Sequence, residues 1–84
     1  MKAEVLNPQN GNLSSMQSRT FQEFRRRLNE KVPDYRIAWV LPYKKTIIEV
    51  GLEPQKKWTY RKTRQAAKVA IEVEDKTGIT IVLR

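Results

Sequence analysis

From Ser14 onward the apolar residues of this 84-residue chain recur at every third or fourth position. Phe21, Phe24, Leu28 and Val32 make one stripe, Met16 and Thr20 continue it backward, and Arg19, Glu23, Arg25, Arg26 and Glu30 fall off it. That period belongs to an amphipathic helix with one buried face. Two starts fit: Ser14 with Gln17 three residues on, the spacing of a capping box, or Ser18 as a simple cap. Pro33 ends the helix by excluding helical geometry at the residue before it, so the element is expected over about 15–31.

In "DYRIAWVLP" the period drops to two. Tyr35, Ile37, Trp39 and Leu41 alternate with Arg36, Ala38 and Val40, which predicts a strand with Trp39 in the core. "PYKK" reads as a turn, and "TIIEVGL" resumes the alternation with Ile48, Val50 and Leu52 on one face and Glu49 on the other. The two runs are close enough to pair as an antiparallel hairpin. "EPQKK" is a second turn. "WTY" fits either a short third strand or the opening of a second helix capped by Thr59 or Thr63. In that helix "RQAAKVAIEVE" places Ala66, Val69, Ala70 and Val73 on one stripe flanked by Ala67 and Ile71, and Gly78 supplies the left-handed stop. "ITIVL" is nearly continuous in apolar character and predicts a strand buried on both faces. Ahead of all this, residues 1–13 read as a flexible segment or a short edge strand, with "AEVL" as the strand and "NPQNGN" as a turn cluster.

The expected fold is α+β, with residues 14–84 as a single domain: a small, largely antiparallel sheet of three to four strands packed against two helices. The order is helix, strand, strand, an optional strand, helix, strand. If "AEVL" is a strand and "WTY" is not, the order becomes the ferredoxin-like βαββαβ.

Composition narrows the chemistry. The chain has neither cysteine nor histidine, which removes disulfides, the usual zinc ligands and the usual general base near neutral pH. Its three glycines form no phosphate loop, and Glu72, Glu74 and Asp75 in "EVED" do not converge as an acid–base pair. The reading is therefore non-enzymatic, with no metal and no cofactor. No run reaches the roughly 18 apolar residues of a membrane span and no signal-peptide core is visible, so the protein reads as cytoplasmic with no membrane partner. Its formal charge of +8 favours polyanionic partners.

Lys44, Lys45, Lys56, Lys57, Arg61, Lys62, Arg64 and Lys68 fall within 25 residues that hold only two acids, Glu49 and Glu53. The second helix thus carries bases early and acids late, against its macrodipole, which favours the reverse by about 0.3–1 kcal/mol per charge. Phosphate at the helix start would relieve that cost by taking the free N–H groups and the flanking bases. The hairpin turn, the following loop and the helix start are expected to converge on one edge. Lys56, Lys57, Arg61, Lys62 and Arg64 are the principal candidate contacts, with Lys44, Lys45 and Lys68 peripheral. Trp58 and Tyr43 stand among these bases where a ring would stack on an exposed base. The triplet Arg25, Arg26 and Arg27 spans about 200° of helix circumference and is expected to be partly structural.

The stretch from Phe21 to Val73 resembles a double-stranded-RNA-binding domain in order: a first helix, "PDY" opening a strand, a second strand, a basic loop, then "KTRQAAKVA", similar to that family's basic, alanine-rich second helix. The resemblance implies phosphate contacts at Lys62, Arg64 and Lys68 and recognition by the first helix of a minor groove. "ITIVLR" is a strand beyond the helix that closes the family's domain. The expected function is nucleic-acid binding through the phosphate backbone, with RNA favoured over DNA by the resemblance. The alternative is a protein-interaction module, a small regulator or inhibitor that docks on an acidic partner or pairs through a sheet edge, including with a second copy as a homodimer.

Overall fold

The computed structural model describes residues 9–10 and 13–84. Its elements are β1 (Gln9–Asn10), α1 (Ser15–Lys31), β2 (Tyr35–Lys44), β3 (Ile47–Pro54), α2 (Tyr60–Thr77) and β4 (Thr80–Leu83). The fold is α+β, with two helices against a mixed sheet in the order β1-β2-β3-β4. The long central pairing, β2 with β3, is the antiparallel hairpin, and the outer strands run parallel to their neighbours. The element order is βαββαβ, yet each helix connects strands that lie side by side, so neither unit is split as in a ferredoxin-like sheet.

Helix α1 follows from its sequence. Ser14 and Gln17 form the capping box, with Gln17 N–H donating to Ser14 Oγ at 3.1 Å and Ser14 N–H donating to Gln17 Oε1 at 2.9 Å. Phe21, Phe24 and Leu28 are buried along one face and Val32 closes it. Met16 does not continue that stripe and is exposed, whereas Gln17 is buried because its amide donates to the carbonyls of Lys44 and Lys45. "WTY" opens α2: Thr59 is the cap and Tyr60 the first helical residue. Ala66, Val69, Ala70 and Val73 are its buried stripe, and Gly78 ends it at φ 80°. Both stripes share one core with Val40, Ile48, Val50, Leu52 and Ile81.

Three expectations are corrected. Trp39 and Leu41 are not core residues. Ile37 pairs with Leu52 and Trp39 with the very next residue, Gly51, so β2 carries one extra residue, Ala38, as a bulge. A bulge of one residue reverses the side-chain alternation. Val40 therefore turns into the core, and the Trp39 indole lies across Gly51 on the face away from the helices. Second, β4 is not buried on both faces. It is an edge strand, with Ile81 buried but Val82 and Leu83 only half-buried. Third, Gln9 and Asn10, inside the expected turn cluster, pair with Trp39 and Val40 as β1. The proposed "AEVL" strand lies outside the described residues.

Candidate nucleic-acid interface

The start of α2 is held by a buried phenol. Tyr35 Oη accepts from Thr59 N–H at 3.0 Å, donates to the Thr59 carbonyl at 3.1 Å and shares a hydrogen bond with Thr63 Oγ1 at 2.9 Å. Burial opposes ionisation of this phenol, but the hydrogen bonds with Thr63 and Thr59 outweigh it and set it below the ordinary tyrosine value. Thr59 Oγ1 accepts from Lys62 N–H at 3.2 Å, the side-chain bond of an N-cap. The Tyr35 and Trp58 rings meet edge to face, 5.1 Å between centroids, which fixes the loop that leads into the helix.

From this anchored start Arg61, Arg64 and Lys68 project along one exposed ridge, since spacings of three and four residues return to the same helix face. Tyr60, 78% exposed, stands beside them with the Arg64 guanidinium 5.8 Å from its ring centroid. Tyr60, Arg61, Arg64, Gln65 and Lys68 line a shallow groove along the helix. Exposed Lys56 and Lys57 precede it in the loop, and Trp58 keeps half its surface free.

The acids explain why this ridge stays positive. Glu23 pairs with Arg26, Arg27 and Lys76, Glu72 with Arg27, Glu30 with Arg26, Glu53 with Arg36 and Glu49 with Arg84. The Arg27 hydrogen bond is the main force holding the Glu23 carboxyl down to about 2, burial opposing it and Arg26 adding to it. The late acids of α2 are thus partly offset by α1, which relieves the second half of the reversed helix. The first half is relieved at one position, where Lys62 forms an ion pair with Asp34. Among the described residues, Lys56, Lys57, Arg61, Arg64 and Lys68 make no ion pair.

The sheet separates what the sequence suggested would converge. Lys44 and Lys45 lie at the hairpin turn, bound to Gln17 at the start of α1, while Thr80 at the end of the α2–β4 connection donates to Thr46. The eight residues of β3 stand between that turn and the 55–59 loop, roughly 25 Å of strand. The hairpin turn therefore does not join the helix start, and Tyr43, exposed with Lys44 5.5 Å from its ring centroid, belongs to the far end with Lys45. Gln65 lies outside the sequence-based contacts, and Tyr60, though interleaved with the bases in sequence like Trp58 and Tyr43, is not among those contacts either. The i, i+4 spacing of Tyr60 and Arg64 was the signal for Tyr60.

No family model matches this chain, and neither a curated protein nor a solved structure is found similar to it. The α-β-β-α-β succession from Ser15 to Leu83 is broadly that of small α+β domains with a double-stranded-RNA-binding layout. It differs in placing its last strand after α2, parallel to β3. Among the described residues no helix is long and apolar enough to cross a membrane.

Proposed function

We infer that this protein binds nucleic acid without catalysing a reaction, gripping phosphate backbone with the ridge of α2 and the loop before it. One observation carries the reading: the cations of the first half of α2 that lack an acid, Arg61, Arg64 and Lys68, share one exposed face with Tyr60 and follow Lys56, Lys57 and Trp58. Charge-assisted bonds from guanidinium groups suit phosphate oxygens, and Arg forks bind them bidentately. The half-exposed Trp58 and the exposed Tyr60 offer ring faces to an unstacked base. Lys62, committed to Asp34, acts as a support for the helix start rather than a primary contact. Lys44 and Lys45 form a separate, peripheral cluster. Recognition is by backbone and shape, and the resemblance of the α2 sequence favours RNA over DNA.

Fluorescence anisotropy with labelled duplex RNA, duplex DNA and single-stranded RNA tests this. Wild type is expected to bind at least one of them, and Arg61→Glu/Arg64→Glu to weaken that binding more than about tenfold with unchanged circular dichroism. Absence of binding to all three would overturn the reading and redirect the ridge to an acidic protein partner.

A further inference from the structure

Strand β4 ends the sheet, and among the described residues nothing pairs with its outer edge. Its sequence, Thr80-Ile81-Val82-Leu83, has none of the lysine, proline or bulge that blunts such edges. Thr80 and Arg84 direct their N–H groups to the carbonyls of Thr46 and Val50 on the β3 side. Backbone groups alternate along a strand, so Ile81 and Leu83 turn theirs outward. Next to this edge lies a second surface that nothing covers among the described residues. Glu72 and Lys76 mark the α1 side of α2 through Arg27 and Glu23, and Glu74 marks the β4 side by accepting from Thr80 Oγ1 at 2.9 Å. At about 100° per residue, Ala67 and Ile71 lie on the Glu74 flank. Ala67 is exposed, and Ile71 is 57% exposed although its neighbours Val69, Ala70 and Val73 are core residues.

We propose that the β4 edge and this flank of α2 are the interface of a homodimer with two-fold symmetry. An antiparallel pairing that uses both outward residues sets Ile81 against Leu83 of the second copy, with Val82 on the axis, and makes four backbone hydrogen bonds. Because α2 packs on β4, joining the edges lays the two α2 helices side by side and antiparallel. Six helical residues at about 1.5 Å and three strand residues at about 3.3 Å cover nearly equal heights from the Gly78 turn, so Ile71 stands level with Val82 and meets its own copy.

The charge order of α2 identifies the occupant as a second copy. With Ile71 on the axis, Lys68 in the first half of α2 comes level with Glu74 and Asp75 in the second half of the other copy, so the helix is complementary to itself at that point when antiparallel. Lys68 then faces Asp75 of the other copy within one residue of register, and neither has an ion-pair partner among the described residues. In the strands, Arg84 of one copy comes beside Thr80 of the other, whose hydroxyl holds Glu74. In the dimer Lys68 leaves the phosphate ridge for this pair, and Arg61 and Arg64 remain free, one set at each extremity of the helix pair.

Sedimentation equilibrium of the full chain from 1 to 200 µM, in roughly 0.15 M salt, is expected to show conversion of the 9.9 kDa monomer to a dimer. Ile71→Glu is expected to hold it monomeric with unchanged circular dichroism. Lys68→Glu should weaken dimerisation at least tenfold, and Lys68→Glu/Asp75→Lys should restore it. Ile81 and Leu83 amides are expected to exchange slowly in the dimer and rapidly in Ile71→Glu. A monomer throughout the range, or a dimer indifferent to Ile71→Glu and Lys68→Glu, overturns the proposal. Nucleic-acid binding by a strictly monomeric chain would overturn it while leaving the functional reading in place.

Discussion

Tyr35 is the residue through which the sheet and helix α2 are coupled. Its hydroxyl makes three hydrogen bonds to Thr59 and Thr63, and its ring carries Trp58. Tyr35→Phe keeps the ring and removes those bonds, leaving the Thr59 N–H without its partner. A loss of about 1–3 kcal/mol is expected in urea unfolding. Trp39 and Gly51 form a second coupled pair. A Cβ at Gly51 would stand 2.2 Å from Trp39 Cε2 and Nε1, so Gly51→Ala is expected to cost about 1–3 kcal/mol. In a Trp39→Ala background that cost should vanish, and a double-mutant cycle reads the difference. The alternation in "DYRIAWVLP" put Trp39 in the core because nothing in it announces an extra residue at Ala38. Gly51 was the available signal, since a glycine inside a strand marks a bulge or a close approach.

Among the elements, the helices were the most legible. Ser14, Gln17, Pro33 and Gly78 bound them through local chemistry, and the stripes at 21, 24, 28 and at 66, 69, 70, 73 are the buried faces. What the sequence could not display were partnerships across the fold. Asp34 neutralises Lys62 from 28 residues away, and Arg27 reaches Glu72 from 45. The link between the helices has a pH signature. Glu23 titrates near 2 in the folded protein against 4.5 ordinarily, so its contribution to stability is complete above about 4.5 and is lost as pH falls toward 2. Glu23→Gln is expected to lower the urea midpoint at pH 6, with the gap to wild type shrinking most of the way by pH 2. A gap as large at pH 2 as at pH 6 would place the effect in packing instead.

At the scale of the whole molecule, strand direction decides which charges act together. The cluster from Lys44 to Lys68 looks continuous in sequence, but β3 sends its two parts to opposite ends. The ridge of Arg61, Arg64 and Lys68 is the part that adjoins Trp58, Tyr60 and the 55–59 loop, and it carries the proposed phosphate grip. Counterion release makes the number of phosphates engaged measurable, because log K falls with log salt in proportion to that number. The decisive measurement is therefore the salt slope of duplex-RNA binding for wild type, Arg61→Ala/Arg64→Ala and Lys44→Ala/Lys45→Ala. A slope shallower by about 2 is expected for the ridge variant and little change for the hairpin variant. Equal slopes for all three, or a loss confined to the hairpin variant, would contradict that expectation.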